Sequence, residues 1–181
     1  MKLMFASDIH GSKKYCSIMF EQYKKEGANK LILLGDLLYH GPRNDLPEEY
    51  APKEVIRMLN ENKNEILCVR GNCDSEVDQF VLEFPILAEY MMIFEKNRTF
   101  FITHGHKYNL QQLPAITPND ILIHGHTHIQ AIEKGEQCTY INPGSLSMPR
   151  NGNQNSYMIY ENGIFTIRNL NGDIISSFEL E

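Results

Sequence analysis

The first half of the chain alternates between short apolar runs and amphipathic stretches. Lys2–Ser7, Leu31–Leu34, Ile66–Val69, Thr99–Thr103 and Ile121–Ile123 have the length and aliphatic content of strands. Between the first two, Tyr15, Ile18, Met19 and Tyr23 recur at helical spacing, with Ser12 as the opening cap and Gly27 as the stop. Pro52 opens a second helix carrying Val55, Met58 and Leu59. A third begins near Asp74 or Ser75, with Val77, Phe80, Val81 and Phe84 at helical spacing. Strand–helix alternation of this kind predicts an α/β fold with parallel strand pairs.

The C-terminal part changes character. Thr139–Asn142, Ser156–Tyr160, Ile164–Asn169 and Ile174–Phe178 read as strands, and Asn162-Gly163 and Asn171-Gly172 are type I′ hairpin signals. An antiparallel meander therefore closes the fold, and the expected arrangement is two packed sheets with helices outside. The segment Tyr39–Pro52 is polar, carries Gly41, Pro42, Pro47 and Pro52, and is too long for a simple connection. Such a loop is either functional or a surface excursion. No repeat, low-complexity tract or linker divides the chain, so residues 1–181 are expected to form one domain.

Composition narrows the class. At 181 residues with 42% hydrophobic and 22% charged positions, the chain matches an ordinary soluble globular protein. No apolar run approaches the roughly 18 residues that span a bilayer, and the first strand leaves no room for a leader, so a cytoplasmic protein is expected. Four scattered cysteines, Cys16, Cys68, Cys73 and Cys138, form no C-x-x-C pair and are expected as free thiols. A net charge of −6 opposes a stable nucleic-acid complex, which depends on basic side chains displacing counterions. It leaves room for a phosphate substrate, because bound cations invert the local field.

The chemistry lies where the apolar runs end. The first ends at Asp8-Ile9-His10-Gly11, the second at Gly35-Asp36 and the third at Gly71-Asn72-Cys73-Asp74. The fourth ends at His104-Gly105-His106, the fifth at Gly125-His126-Thr127-His128, and a later one at Asn142-Pro143-Gly144-Ser145. Ligands of open α/β sheets bind outside the carboxyl ends of strands, so these clusters share one rim. Carboxylate, amide oxygen and imidazole suit Mn²⁺, Fe²⁺, Ni²⁺ or Zn²⁺. Any one cluster alone has a bland reading, since Asp caps helices and Asn shapes turns. Their joint placement at strand ends is what carries weight.

The order D-x-H, G-D, G-N-x-D, H-G-H, G-H-T-H and N-P-G-S resembles the calcineurin-like metallophosphoesterases, and within them a branch of small bacterial and archaeal phosphodiesterases. The similarity runs from Met1 through the C-terminal hairpins, and Gly41-Pro42-Arg43-Asn44 resembles one group of that branch. The resemblance implies a four-layer α/β/β/α sandwich of two mixed sheets flanked by helices. It implies two divalent metals, Mn²⁺ first and Ni²⁺, Fe²⁺ or Zn²⁺ as alternatives. Asp8, His10 and His128 would hold one, Asn72, His104 and His126 the other, with Asp36 shared. A water activated between the metals would attack phosphorus, and the metals would neutralise charge on the phosphoryl oxygens.

Asp36, Asn72 and Cys73 are the expected catalytic residues, and His40, Arg43 and Cys73 the expected substrate contacts. A loop cation such as Arg43 either grips a phosphate oxygen or is simply solvated. His106 is read as a partner of His104 or a rim group, and His124 as structural. One departure stands out. Many relatives have G-N-H-D or G-N-H-E, whose histidine is assigned to leaving-group protonation or transition-state stabilisation, and this chain has Cys73 there. A thiol is a weak donor without positive charge. The expectation is a phosphodiesterase for small, activated diesters with weak or no monoesterase activity. The rival is a catalytically weak protein-binding scaffold of the same fold, against which stands the retention of coordinating residue types at all seven ligand positions. An exposed edge from the C-terminal hairpins offers a surface for a homo-oligomer.

Overall fold

The computed structural model describes residues 1–180. β1 (Lys2–Ala6) leads through α1 (Lys13–Glu26) to β2 (Lys30–Leu33), and β2 leads through a long irregular segment and α2 (Pro52–Glu61) to β3 (Ile66–Cys68). α3 (Glu76–Val81) precedes the hairpin of β4 (Tyr90–Glu95) and β5 (Arg98–Thr103). Then follow β6 (Ile121–Ile123), β7 (Gln130–Lys134), β8 (Thr139–Pro143), β9 (Ser156–Glu161), β10 (Ile164–Asn169) and β11 (Ile174–Glu179). One sheet has the order β11-β10-β9-β1-β2-β3 and the other β4-β5-β6-β8-β7. In the first sheet the parallel strands β1, β2 and β3 form one end and antiparallel β9, β10 and β11 continue from β1 to the other edge; in the second the parallel strands β5, β6 and β8 form the centre, flanked by antiparallel β4 and β7.

Strand parity explains how the sheets pack. Leu3 and Phe5 of β1, with Ile32 of β2, face Phe100, Ile102, Ile121, Ile123 and Ile141 across the gap between sheets. Met4, Ala6, Leu31 and Leu33, on the opposite parity, pack beneath Cys16, Met19 and Phe20 of α1 and Val55 and Leu59 of α2. Both faces of the central strands are thus covered, which is why these runs are continuously apolar rather than alternating. The result is the α/β architecture expected, two mixed sheets with flanking helices. The outer face of the second sheet, with Phe101, Leu122, Cys138 and Tyr140, is covered differently: Tyr108, Leu113 and Ile116 of an irregular segment pack on it. Pro114 and Pro118 in that segment disfavour a helix.

The caps and turns follow local chemistry. Ser12 caps α1, Gly27 ends it at φ 64°, and Ser75 forms a capping box with Asp78. The turn at Asn162-Gly163 has both residues at positive φ, as a type I′ turn requires. Asn171-Gly172 does not: only Gly172 is left-handed, and the β10–β11 register shifts beside Arg168, so this connection is a wider, bulged turn. α3 is also shorter than its periodicity suggested. It stops at Val81, leaves Val77 69% and Phe80 87% exposed, and buries Leu82, Phe84 and Ile86 from the extended chain beyond it. Two edge strands, β4 and β7, carry no alternation strong enough to have been read from the sequence. No helix among the described residues is long and apolar enough to cross a membrane, and Cys16, Cys68, Cys73 and Cys138 are all free thiols.

Phe100 is fully buried between the sheets, with its ring centroid 5.0 Å from that of Tyr160 and 5.2 Å from that of Phe165. Phe100→Ala should therefore cost about 3–5 kcal/mol, as large-to-small changes in tight cores do. Urea unfolding checks this, and a loss below about 1 kcal/mol would mean that the inter-sheet core repacks freely.

Candidate metal centre

The central strands run into the rim as anticipated, and the backbone turns abruptly there. Asp8, His10, Asp36, His126 and His128 all have positive φ, between 48° and 65°. For non-glycine residues this conformation costs roughly 1–2 kcal/mol each, and such strain gathers where surrounding contacts enforce it. Those contacts are visible. Asp8 N–H donates to Gly35 O, His10 N–H to Asp36 O and Gly11 N–H to Leu37 O, which zips the turn after β1 to the turn after β2. The Asp8 carbonyl accepts from the hydroxyls of Ser145 (3.1 Å) and Ser147 (2.9 Å). The N-P-G-S segment therefore acts as a brace behind Asp8.

The side chains converge on two adjoining points. Around the first, Asp8 Oδ1 lies 3.5 Å from His10 Nε2 and 3.2 Å from His128 Nε2. Around the second, His104 Nε2 lies 3.4 Å from Asp36 Oδ2, 3.1 Å from Asn72 Oδ1 and 3.2 Å from His126 Nδ1. Asp36 Oδ2 is also 3.6 Å from His10 Nε2, so it adjoins both groups. All seven residues expected as ligands, Asp8, His10, Asp36, Asn72, His104, His126 and His128, are thus brought together.

Their hydrogen bonds test whether the set fits a cation. His10, His104 and His128 each place Nδ1 against a backbone carbonyl, of Tyr39 (2.7 Å), Leu34 (2.6 Å) and Met148 (2.7 Å). A carbonyl can only accept, so Nδ1 carries the proton and the Nε2 lone pair faces inward. Asp8 Oδ2 accepts from the Ser7 hydroxyl (2.6 Å) and from His126 N–H (3.2 Å), while Oδ1 is left for the centre. Asp8 Oδ1 and His10 Nε2 are both buried without any hydrogen-bond partner. Buried lone pairs aimed at one point are costly unless something positive meets them. The residues fit divalent metals.

The electrostatics agree. Burial opposes the charged form of Asp8, yet the adjacent His10 and His128 imidazoles hold its carboxyl well below the usual range. Burial likewise opposes ionisation of Asp36, and His104 more than offsets it. Burial would depress His104, but Asp36 and Asp8 raise it to about 9. The negative potential that draws a proton onto His104 is the potential that would draw a metal, so protons and metal compete for these atoms.

One further residue organises the site, and the sequence offered it only as the end of the third polar cluster and a candidate helix start. Buried Asp74 accepts from the backbone N–H of Asp36 (2.8 Å), Leu37 (2.9 Å) and Gly71 (2.7 Å), tying the turn after β2 to the turn after β3. Burial, and then the charge of Asp36, raises its pKa. Gly71 permits the approach, because a Cβ there would sit 2.1 Å from Asp36 Oδ1. Asn142 plays the matching part under His126, donating to Gly125 O and Thr127 Oγ1.

A cavity of about 330 Å³ opens over the centre and is lined by His10, Asp36, Asn72, Cys73, His126 and His128 from the rim, with Arg43, Asn44 and Arg150 from the adjoining loops. Arg150 was not foreseen, because it stands alone in a polar turn. His40 is not part of the lining. Its ring packs edge-on between Tyr39 and Tyr50. His106 makes no hydrogen bond to His104, whose partner is Leu34, and sits at the rim with its pKa lowered to about 4 by burial and then by His104 and His126. His124 is buried against Tyr140, 4.5 Å between ring centroids. The Cys73 thiol is half-buried, and burial with the charge of Asp36 pushes its pKa to about 12. It is therefore neither a thiolate nucleophile nor an effective acid at neutral pH.

Two stacked mixed sheets with a carboxylate–imidazole centre at their shared rim define a metallohydrolase of the phosphoesterase type. The chain belongs to the calcineurin-like phosphoesterase superfamily, whose domain model matches residues 1–163. It is similar to phosphodiesterase YfcE of Escherichia coli K12, 46% identical over 175 residues that span 97% of this chain and 95% of the relative. The solved structure of the E. coli phosphoesterase Yfce superposes with a TM-score of 0.96 at 44% identity, covering 100% of both chains. Phosphodiesterase MJ0936 of Methanocaldococcus jannaschii is 26% identical over 152 residues, 80% of this chain and 83% of the relative.

Asp74→Asn keeps the volume but turns an amide N–H₂ toward at least one of the three backbone donors. It should lower stability by about 2–4 kcal/mol, as a lost charged acceptor does in a buried network. It should also weaken Mn²⁺ binding at least tenfold by freeing the Asp36 turn, with calorimetry as the measure. Unchanged Mn²⁺ affinity would restrict Asp74 to holding the fold together.

Proposed function

We propose that the whole chain acts as a single-domain, binuclear-metal-dependent phosphodiesterase of the cytoplasm, hydrolysing small diesters with little monoesterase activity. One observation carries the reading: a single oxygen, Asp36 Oδ2, adjoins both His10 of one ligand group and His104 of the other. A carboxylate so placed is suited to being shared by two cations. The 46% identity to a protein named a phosphodiesterase supports the diester as substrate.

Two divalent cations bound here would supply Lewis-acid neutralisation of the phosphoryl oxygens and activation of a water for in-line displacement. The chain's own residues supply the rest. Asp8, His10 and His128 would hold one cation and Asn72, His104 and His126 the other, with Asp36 between them. The carbonyls of Tyr39, Leu34 and Met148 keep the imidazoles in the coordinating tautomer. Asn72 is the exposed ligand candidate and faces the cavity beside Cys73. The donor set suits Mn²⁺, with Fe²⁺, Ni²⁺ and Zn²⁺ as alternatives. Cys73, whose pKa of about 12 is far from neutrality, gives a departing alkoxide poor proton donation. An aryl oxide leaves without help, so activated diesters are the substrates this wall favours.

The test uses chelator-stripped protein supplied with Mn²⁺, Ni²⁺, Mg²⁺ or Zn²⁺ and assayed on bis(p-nitrophenyl) phosphate and p-nitrophenyl phosphate. Mn²⁺ should restore turnover with the diester preferred at least tenfold, and calorimetry should count two Mn²⁺ per chain. Asp36→Ala should lower kcat by roughly 10³-fold, on the scale of losing a major charge-stabilising group. Inactivity with every metal would favour the protein-binding scaffold instead. Cys73→His should raise the rate on a diester with an alkoxide leaving group by about tenfold or more, within the range of general-acid catalysis, and change the aryl diester little. No gain on the alkoxide would reject the leaving-group account.

A further inference from the structure

The loops beside the rim bring two arginines to the cavity whose charge no carboxylate among the described residues neutralises. Arg57, Arg70 and Arg168 each lie against a glutamate: Arg57 against Glu54 and Glu61, Arg70 against Glu76, and Arg168 against Glu26. Arg43 makes no ion pair or side-chain hydrogen bond among the described residues. Arg150 is bound through Nη2 to the amide oxygen of Asn44 (3.1 Å) and to no carboxylate among the described residues. Two unneutralised guanidiniums on one cavity are notable in a chain of net charge −6. A neighbouring cavity also carries cations, Arg70 and Lys107, but these are paired with Glu76 and Glu89.

Both arginines are exposed, but the segments that carry them are tied in place. Arg43 follows Gly41, which at φ 85° folds the loop so closely over Cys73 that a Cβ there would lie 3.4 Å from its sulfur. Asn44 is fixed from below, its Nδ2 donating to His40 O at 2.8 Å. The Asn44–Arg150 bond then ties this loop to the turn after β8, whose Arg150 N–H is itself held by His128 O (3.1 Å). Arg150 is therefore anchored to a metal-ligand candidate on one side and to the substrate loop on the other.

Charge balance decides what such a pair would meet. The inference rests on the phosphodiesterase reading given above. Two divalent cations against the carboxylates of Asp8 and Asp36, with neutral imidazoles, leave two positive charges, already more than the single negative charge of a phosphodiester. The scissile group does not call for two guanidiniums as well. A phosphomonoester dianion does: its charge matches the pair, and its oxygens match guanidinium fork geometry. We propose that Arg43 and Arg150, bridged by Asn44, form a second phosphate subsite, so that the preferred substrate is a diester carrying an additional terminal phosphate on one arm.

Two aryl diesters with the same leaving group separate this subsite from the chemistry: thymidine 5′-(p-nitrophenyl) phosphate and its 3′-phosphorylated counterpart. The Mn²⁺-loaded protein should favour the second by about 10–50-fold in kcat/KM, mainly through KM, the range expected for a charge-assisted phosphate contact. Arg43→Ala/Arg150→Ala should bring the ratio to within about threefold, and 0.5 M NaCl should compress it in the wild type by screening. A parallel calorimetric titration with thymidine 3′,5′-bisphosphate and thymidine 5′-phosphate reads the same preference without turnover. Equal affinity for the two nucleotides in the wild type, or a preference that survives in the double variant, overturns the subsite. Arg43→Gln/Arg150→Gln repeats the comparison if the alanine variant does not fold. Preferential binding of the bisphosphate without hydrolysis of either diester would uphold the subsite and defeat the phosphodiesterase reading alone.

Discussion

Two buried carboxylates placed near each other, Asp8 and Asp36, are the constraint on which the rim depends. Like charges removed from water repel strongly, and each alone would be expected to take up a proton. Here neither does, because each has been given partners that favour the anion: Ser7 and His126 N–H for Asp8, Cys73 N–H and the adjacent His104 imidazole for Asp36. The imidazoles stand as the counter-charge, and His104 is raised to about 9 as a result. A divalent cation would be the stronger counter-charge and would compete with the proton for the same atoms, which is what suits the cluster to a metal.

Holding that arrangement requires backbone geometry that a strand does not supply. The strands deliver their last residues to the rim, but an extended chain would send successive side chains to opposite faces of the sheet. The left-handed turns at Asp8, His10, Asp36, His126 and His128 re-aim them. Several kcal/mol of local strain are offset by bonds to regions far along the chain, with Ser145 and Ser147 behind Asp8 and Asp74 behind Asp36. The brace residues are buried and polar, so their loss would release the very atoms that must stay fixed. The glycines beside them serve a narrower end: Gly71 and Gly125 are places where any Cβ would strike Asp36 or Ser7.

The parts legible in the sequence were those governed by a local rule. Central strands showed as continuous apolar runs because both their faces are covered, and caps such as Ser12, Gly27 and Ser75 are decided within a few residues. The seven metal-ligand candidates were legible because every one lies at the end of such a run. What escaped depended on long-range context. β4 and β7 are edge strands, half covered, and their sequences do not alternate cleanly. α3 has helical spacing but no partner for Val77 and Phe80, since the chain beyond it buries Leu82, Phe84 and Ile86 instead. Asp74 looked like a helix start, and its three backbone donors come from two turns, one of them nearly forty residues upstream. Arg150 had no signal at all, as its partner Asn44 is 106 residues away.

The division between what was legible and what was not follows a division of labour in the molecule. Metal-ligand candidates sit on turns zipped to the sheets and fixed by buried bonds, where a shift of a few tenths of an ångström would spoil convergence. Cys73 sits at the border, its N–H bound to Asp36 while its sulfur faces the loop. Arg43, Asn44 and Arg150 lie beyond it on loops, whose side chains can change without disturbing the centre. A histidine at position 73 would add a cationic donor to the wall that adjoins the scissile group. With a neutral thiol there, the positive side chains that line the cavity are instead the loop arginines Arg43 and Arg150. On the proposed reading, such a cavity would discriminate by what hangs from the phosphorus more than by how well the leaving group is protonated.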